Sequence, residues 1–406
     1  MRPAARLAAV AVILVSASLT SVLAQRSGVF LASRDHPSVR YSTAPVTDPV
    51  ARLNRAIEEG AVRLTFSPGS DESGYLRSVL DALRVPVESQ VAVFSPTSFQ
   101  RSRINSSNPR TIFFADSVAV AWVRGGSMLE VAAQDPQQGI IFYTLDQQTA
   151  DTPQFKRSDE CLACHLTWET LGVPGLMVLS TLSQPADNNS YATGFVSDHR
   201  SSLELRWGGW YVTGQVGSVQ HMGRTVESLD RQFDTRGYLS PHSDIVALMV
   251  LEHQTRMINL ITRAGWEARL PGETDARVGK AARDLVDYLL FVDEVPLPGR
   301  VRGTSNFAET FSAEGLRDSK GRSLKRLDLD GRLMRYPCSY MIYSEAFDAL
   351  PPAAIDAVYR RMWEVLSGQE KGNRYVRLSL TDRQAIVEIL RETKKNLPDY
   401  FQPVTR

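Results

Sequence analysis

Short apolar runs alternate with turn-forming residues between positions 87 and 146. Five runs are rich in β-branched and aromatic residues: VAVFS, TIFFA, SVAVAWV, MLEVAA and GIIFYTL. The segments SSNP, RGG and DPQQG separate several of them and contain residues that favour turns. Short strands at this spacing are typical of hairpins, so the pattern predicts an antiparallel sheet or meander of about five strands.

Helical periodicity precedes this sheet. Residues 48–59 place Val50, Leu53 and Ile57 on one face, which predicts an amphipathic helix. A second helix is predicted over 71–84, where apolar residues recur four apart and a proline follows. Beyond the sheet, the segments MVLSTL, YATGFV and RWGGWYVTGQV predict further strands.

The second half of the chain has a mainly helical pattern. The run IVALMVL is apolar almost all round and predicts a central helix, capped by Ser240 or Ser243 and ending near Ala264. Another helix is predicted over 274–291. Two helices close the chain in PPAAIDAVYRRMWEVLSG and LTDRQAIVEILRETKKNLP, the last opening with a capping box at Thr381.

These patterns predict an α+β fold with two regions. Residues 48–240 form an α+β region with N-terminal helices and an antiparallel sheet, and residues 241–406 form a mainly helical region. Residues 25–47 are polar with scattered proline, which predicts an extended lead-in.

The first 24 residues have the three parts of a secretory signal peptide. Arg2 and Arg6 precede an apolar run, and small residues ending in VLA follow it, which predicts cleavage after Ala24. The alternative is a membrane anchor, but the apolar run is shorter than the ~20 residues that span a bilayer. We therefore expect a periplasmic or otherwise exported protein without a transmembrane segment after cleavage.

Charge and cysteine usage exclude two classes of protein. Without the two arginines of the signal segment, basic and acidic residues nearly balance, which argues against a nucleic-acid-binding protein. Three cysteines in an exported chain of this length are too few for a disulfide scaffold. Ser/His/Asp, P-loop and H-E-x-x-H patterns that would indicate hydrolysis or phosphoryl transfer are not evident.

The segment SDECLACHLTW carries the clearest chemical signal. Its C-x-x-C-H pattern supplies Cys161 and Cys164 for thioether bonds to a haem, and His165 as the proximal iron ligand. Ser158 precedes the motif and is expected to cap a short helical turn that presents these side chains. Export favours this interpretation because c-type haem is attached outside the cytoplasm.

Other interpretations of the two cysteines remain open. They are a redox dithiol or a structural disulfide, although the setting lacks the βαβ pattern of a thioredoxin-like protein. A zinc site needs a fourth ligand. Cys338 is available, but a second C-x-x-C or H-x-x-x-H pair is missing. The last alternative is a chance match, because a five-residue pattern also occurs in proteins that bind no haem.

The chain resembles a group of bacterial exported proteins that contain a cytochrome c domain. The resembling segments are FSPTSFQRSRI, NPRTIFFADSVAVAWV, IIFYTLDQ, CLACH, RWGGWYVTG, HMG, HSDIVALMVLEHQ, GRSLKRLDL and YPCSYMIYS. The resemblance covers nearly the whole chain after the signal segment. It implies one covalently bound haem c and an envelope location, and it implies no particular reaction.

The ligand on the distal side of the iron determines what the haem does. His221, in QHMGR, is the first candidate, and an ordinary surface histidine is the alternative. His253, on the central helix, is the second, and a hydrogen-bonded core histidine is the alternative. His199 is expected to be exposed in a turn, and His242 to help cap the central helix.

Three basic residues lie in a glycine-containing turn of the C-terminal region. Arg322, Lys325 and Arg326 are candidates to neutralise haem propionates, and the alternative is a solvated turn.

The sequence therefore predicts a monohaem c-type protein with the haem between the two regions. Its expected function is electron transfer or haem-dependent oxidoreduction, with a redox protein as partner. One attachment motif in about 380 residues argues against dihaem peroxidases, which carry two. The alternative is a haem-based sensor or ligand-binding protein in which the iron does not turn over.

Overall fold

The computed structural model describes Phe30 and residues 33–68, 73–182, 194–272 and 274–405. The predicted signal peptide, residues 1–24, lies outside these ranges. The fold is a mixed α/β structure with one large sheet. Its main hydrophobic core contains residues of both predicted regions, from Val50 in the first to Ile386 in the second.

The strands of the described residues include the five predicted ones. They are β1 Val91–Val93, β2 Arg110–Ala115, β3 Val118–Trp122, β4 Met128–Asp135, β5 Gly139–Asp146, β6 Lys156–Arg157, β7 Val178–Ser180, β8 Phe195–Ser197, β9 Trp210–Thr213, β10 Gln215–Val216, β11 Arg224–Val226 and β12 Val301–Arg302. The large sheet has the order β11-β9-β1-β2-β3-β4-β5-β6, while β7 pairs with β8 and β10 with β12.

The predicted meander is confirmed. Strands β1 to β5 follow one another along the chain, and each pairs antiparallel with the next. The sheet as a whole is mixed rather than antiparallel, because β11 pairs parallel to β9. The chain crosses from one of these strands to the other through β10 and a loop, a connection that hairpin signals in the sequence do not reveal.

The helices also follow the predicted pattern. They are α1 Pro49–Glu58, α2 Leu76–Leu83, α3 Leu162–His165, α4 Ile245–Arg269, α5 Thr274–Leu289, α6 Phe307–Ala313, α7 Glu345–Asp348, α8 Pro352–Leu366 and α9 Leu380–Thr393. Helix α2 begins later than predicted, at Leu76. Within the described ranges, no helix combines the length and the apolar character that crossing a bilayer requires.

Two predicted helix caps are wrong. Helix α4 is capped by Asp244, whose carboxylate accepts from the backbone N–H of Val246 at 2.7 Å, and not by Ser240 or Ser243. Aspartate and serine are equally good N-cap residues. Asp244 is the cap because it stands immediately before the first helical residue. The same helix continues past Ala264 to Arg269.

Helix α9 is likewise capped by another residue than predicted. The Ser379 hydroxyl accepts from the backbone N–H of Asp382, so the cap precedes Thr381, which lies inside the helix. The predicted extended lead-in also differs from the structure. Its described part forms hydrogen-bonded turns, and Tyr41 is fully buried with its hydroxyl donating to the Ile140 carbonyl at 2.7 Å.

The two faces of the sheet carry different elements. Side chains of paired residues point to the same face, so Ile112, Ala121, Ala132 and Phe142 share one face, called the motif face below. Helix α1 packs on the opposite face, where the Tyr143 hydroxyl donates to the Asp48 carboxylate at 2.7 Å. The motif turn lies on the motif face, because the His165 ring packs on Phe142. Helix α4 instead passes one end of the strands, where Gln254 donates to the Ala115 carbonyl and Arg269 to the Gln137 carbonyl.

Candidate functional site

The C-x-x-C-H motif forms a short helical turn at the protein surface. A 3-10 turn, Asp159–Cys161, continues into α3. Leu162 and Leu166 are buried and anchor the turn in the core, which leaves Cys161 half-buried and Cys164 exposed. Both cysteines are free thiols, and no disulfide joins them.

The helical turn is confirmed, but its predicted cap is not. Ser158 makes no side-chain hydrogen bond to the amides of the turn. Its backbone N–H donates to the Phe142 carbonyl at 2.9 Å, which continues the pairing of β6 with β5. Burial raises the pKa of the Cys161 thiol to about 11, and a hydrogen bond from the Ser158 hydroxyl opposes this effect.

His165 has a defined tautomer. Its Nδ1 lies 2.9 Å from the Gly175 carbonyl oxygen, which accepts only, so Nδ1 carries the hydrogen. Nε2 then presents a lone pair, and no hydrogen bond to it is found among the described residues. Burial lowers the pKa of His165 and keeps the ring neutral. A metal-binding histidine usually has this arrangement, with its other nitrogen donating to a backbone carbonyl.

The Gly175 carbonyl is held in place from helix α4. The Asn259 side chain accepts from the Leu176 N–H at 3.0 Å and donates to the Leu176 carbonyl at 2.7 Å. A Cβ on Gly175 would lie 2.2 Å from Asn259 Oδ1, so only glycine permits this close approach. Neither residue could be identified from the motif, because Gly175 lies outside the C-x-x-C-H pattern and Asn259 is remote from it along the chain.

The motif face next to His165 is apolar and incompletely covered. The His165 ring packs on Phe142, with ring centroids 4.8 Å apart. Neighbouring strands contribute small residues, Ala121 and Ala132, each 9% exposed, and Ile112 is half-buried. Small side chains keep the surface of the sheet low here, so a flat apolar group can lie on these strands beside the His165 ring.

An ion pair lies on the same face. Arg110 Nη1 is 3.2 Å from Glu130 Oε2, and both side chains are 16% exposed. Both charges act on His165, where Arg110 lowers and Glu130 raises the pKa after the larger effects of burial and the Gly175 hydrogen bond. Sequence reasoning missed this pair, since neither residue lies near the motif in the chain.

These observations fit a covalently attached haem. Two free thiols on one helical turn, a neutral imidazole with Nε2 available, and a partly uncovered apolar face occur together. The zinc alternative has less support. Among the described residues no group of three or more His, Cys, Asp or Glu side chains is placed to hold a metal ion. Cys338 is fully buried in the helical region.

The first distal candidate, His221, precedes β11 at one edge of the large sheet, while the motif follows β6 at the other edge. Its ring is half-buried and meets Trp207 edge-on, with centroids 4.9 Å apart. Nε2 is 3.4 Å from the Thr225 hydroxyl, and Nδ1 is buried without a hydrogen-bond partner in the described part of the chain. These described contacts include no residue of the motif turn, so a ligand role for His221 stays a prediction.

The second distal candidate, His253, is a core histidine with both ring nitrogens engaged. It has no exposed surface. Nε2 lies 2.7 Å from the Ser339 hydroxyl, and Nδ1 lies 2.9 Å from Nδ1 of His199. Neither nitrogen has a lone pair available for iron without breaking one of these hydrogen bonds, so we do not include His253 in the haem site.

The expectation that His199 is exposed is wrong. His199 is 2% exposed and stacks on Tyr288, with centroids 4.1 Å apart. The flanking charges, Asp198 and Arg200, pair with each other at 2.6 Å, which allows the imidazole between them to enter the core. Hydrogen bonds join Ser339 to His253 and His253 to His199, an order that resembles a catalytic serine with its histidine base. Ser339 has no exposed surface, so a substrate cannot reach it.

Replacing His253 with alanine should destabilise the protein without altering the visible spectrum of its haem-loaded form. The change removes the hydrogen-bond partner of His199 Nδ1, leaves the Ser339 hydroxyl with only the Met341 amide, and opens a cavity, which together cost about 2–4 kcal/mol. Urea unfolding measures the loss of stability, and absorbance spectra compare the spin state of the iron in the original chain and the variant. A changed spin state in the variant would show that His253 does contact the iron.

The same histidine makes folding sensitive to acid. Burial lowers the pKa of His253 from 6.5 to about 3. Between these values the unfolded chain binds more protons than the folded chain, so stability falls as the pH decreases. From pH 6.5 to 5, His253 contributes a loss of about 2 kcal/mol. Urea unfolding at several pH values should show this slope. His253→Gln should reduce the slope without abolishing it, because burial also lowers the pKa of His199.

The structure also bears on two of the three basic residues and on His242, while the role of Arg326 stays a prediction. Arg322 pairs with Asp318 and Glu388, and Lys325 with Asp116 and Glu314, because folding brings distant carboxylates to this turn. These two side chains are therefore not free for haem propionates. His242 does not cap α4, since Asp244 does.

Comparison with known proteins gives no independent assignment. No protein-family model matches the chain, and neither a curated protein nor a solved structure is significantly similar to it. The function of this chain is therefore inferred from its own residues and their geometry.

Proposed function

We propose that this chain is an exported c-type haem protein that acts in electron transfer or haem-dependent oxidoreduction. Cys161 and Cys164 form the thioether bonds, and His165 binds the iron through Nε2. The observation that carries the proposal is the hydrogen bond of His165 Nδ1 to the Gly175 carbonyl, which leaves Nε2 free beside two free thiols.

The haem would supply one-electron redox chemistry at its iron. The chain orients and electronically tunes the ligand. Hydrogen bonding of Nδ1 to Gly175 fixes the His165 ring and increases the basicity of Nε2. Asn259 holds this carbonyl through its two hydrogen bonds to Leu176. Phe142 supports the ring from the sheet.

The position of the motif supports electron transfer. Cys164 is exposed, and Trp168, three residues after His165, is 63% exposed. A redox partner therefore has access to the edge of the site and can exchange electrons with the haem without passing through the core.

Spectroscopy of the full chain tests the proposal. The protein is produced with and without a cytochrome c maturation system, and denatured samples are extracted with acidified butanone. We expect haem that resists extraction and a c-type pyridine haemochrome only with the maturation system. Extractable haem, or none at all, in protein from the competent host would overturn the proposal.

The native spectrum then separates the two functions. A low-spin iron that binds neither carbon monoxide nor cyanide supports an electron carrier. A high-spin iron that binds both supports an oxidoreductase with an open site or the sensor predicted as the alternative. His221→Ala, measured in the same way, tests the first distal candidate directly.

A further inference from the structure

A cavity lies beside the C-terminal half of helix α4, where the turn between β4 and β5 meets the helical region. Its volume is about 370 Å³, which falls in the range of ~300–1,000 Å³ that is common for small-molecule sites. Three segments form its walls: helix α4 from Ile261 to Arg269, the turn 136–139, and the segment 346–352 that runs from α7 into α8. Gln137 and Pro352 in these walls are exposed, so the cavity opens to solvent.

The walls of the cavity are mainly apolar. Proline, alanine, leucine and isoleucine side chains form most of the lining, and Thr262 is one of its few polar residues. The Thr262 hydroxyl is already engaged, because it donates to the Ile258 carbonyl within α4 at 2.9 Å. The apolar part of a bound molecule would meet hydrocarbon on each wall, at Pro136, Ile261 and Leu350.

Helix α4 contributes a glycine to this lining. Gly265 lies in the interior of the helix, where glycine is a poor helix former. A Cβ at this position would lie 3.5 Å from Leu350 Cδ2 and 3.9 Å from Pro351 Cδ, and both are ordinary van der Waals contacts. Close packing therefore does not require glycine here. The missing side chain instead keeps the space between α4 and the segment 346–352 open.

Arg269 is the one charged side chain among the described residues that line the cavity. Its guanidinium group donates only to backbone carbonyls, from Nε to Gly265 at 3.2 Å and from Nη2 to Gln137. No carboxylate in the described part of the chain forms an ion pair with it, and Nη1 makes no hydrogen bond there. Burial lowers the pKa of Arg269, as expected for a half-buried cation without a counterion in contact.

Acidic residues on these segments or next to them have other partners or face solvent. The partners are the N–H groups of Thr47, Gln137 and Gln138 for Asp135, the guanidinium groups of Arg263 and Arg277 for Glu267, Lys394 for Asp348, and Arg52 for Glu345. Asp356, on α8, is exposed and acts on Tyr400. Asp135 opposes the lowering of the Arg269 pKa without an ion pair. The cavity therefore presents a positive charge that no described carboxylate neutralises by contact.

We propose that this cavity binds a small molecule with one carboxylate on a compact apolar body, such as a medium-chain fatty acid or an arylalkanoic acid. The carboxylate accepts hydrogen bonds from the Arg269 guanidinium group, and the body packs on the apolar walls. Hydrogen bonds between charged groups are stronger than those between neutral groups, so an anion is preferred over a neutral molecule of the same shape. The described lining includes no residue of the motif turn, and the inference does not rest on the proposed function.

Isothermal titration calorimetry of the purified full chain tests the ligand class. The probes are octanoate and 3-phenylpropionate, and their amides are neutral controls of the same shape. Both acids should bind, and each amide should bind at least about tenfold more weakly. Acetate, which has the charge without the apolar body, should not displace them at equal concentration. Equal affinity for acid and amide, or displacement by acetate, would overturn the proposed class, as would a lack of binding at millimolar concentrations of both acids.

Substitutions of Arg269 test the role of its charge. Arg269→Gln should weaken octanoate binding about tenfold or more, and Arg269→Lys, which keeps the charge, should restore most of the affinity. Arg263→Gln is the matched control on the same helix, because Arg263 faces Glu267 and is not among the described lining residues. It should leave the affinity within a factor of about two. Equal losses in Arg263→Gln and Arg269→Gln would show that Arg269 does not bind the carboxylate.

Substitutions of Gly265 test the position of the site. Gly265→Leu places a side chain in the cavity and should abolish binding of both acids. Gly265→Ala is the folding control, and its midpoint of urea unfolding should not decrease, because its Cβ makes only ordinary contacts and alanine favours the helix. Undiminished binding by folded Gly265→Leu would place the site elsewhere and overturn the inference. If Gly265→Leu does not fold, the amide controls and the Arg269 variants decide the question.

Discussion

If the chain binds haem as proposed, replacing Cys161 and Cys164 together with alanine should abolish covalent attachment and leave the chain folded. The two sulfur atoms lie on one surface turn whose anchors are Leu162 and Leu166, so the fold does not depend on the thiols. Each single variant keeps one thioether, and its haemochrome band should shift to longer wavelength. Acid-butanone extraction and haemochrome spectra measure attachment, and urea unfolding of haem-free chains measures folding.

Two further variants sharpen this result. Cys338→Ala removes a thiol that is fully buried in the helical region, and it should keep covalent haem at the cost of about 1–2 kcal/mol of stability. His165→Ala should keep the thioethers but lose the proximal ligand, which changes the spin state. Retention of covalent haem in the double cysteine variant would contradict the assignment of the motif.

Replacing Glu252 with alanine lowers the free energy of unfolding by about 3–5 kcal/mol. Glu252 and Arg206 form an ion pair at 3.3 Å, with side chains 0% and 3% exposed. Ser197 also donates to the carboxylate at 2.5 Å. Without Glu252, a guanidinium group remains buried with only the carbonyl oxygens of His199 and Ser201 as partners.

An exposed pair provides the matched control. Lys156 and Asp146 lie 2.6 Å apart with side chains 67% and 56% exposed, and Asp146→Ala should cost less than about 1 kcal/mol. Arg206→Met/Glu252→Leu, which removes both charges, should recover much of the stability lost in Glu252→Ala. Urea unfolding of the four proteins gives the comparison. Equal losses for Glu252→Ala and Asp146→Ala would show that burial does not govern the strength of this pair.

Local patterns predicted the elements of this protein well. The runs that became β1 to β5 alternate with turns whose residues determine the chain reversals, so both element type and order follow from neighbouring residues. The parallel pairing of β11 with β9 depends on a connection between non-adjacent segments. Helix ends were less predictable, because Asp244 and Ser379 compete with nearby residues of equal capping ability.

Part of the candidate site was also accessible to sequence reasoning. The motif predicts the thiols and His165, since five consecutive residues determine their spacing. The residues that orient His165 were missed, because Gly175 and Asn259 meet only after α4 packs beside the motif. His199 was misjudged for a related reason. Its charged neighbours suggested exposure, but they neutralise each other and the ring enters the core.

The hydrogen bonds from Asn259 to Leu176 form only after helix α4 has been synthesised. The motif emerges from the ribosome, and from any export channel, well before helix α4. Until α4 has followed, the Gly175 carbonyl lacks the support of Asn259 and the His165 ring is not oriented. Both thiols are therefore accessible before His165 reaches its final position. Closure of the C-terminal half completes the ligand environment last.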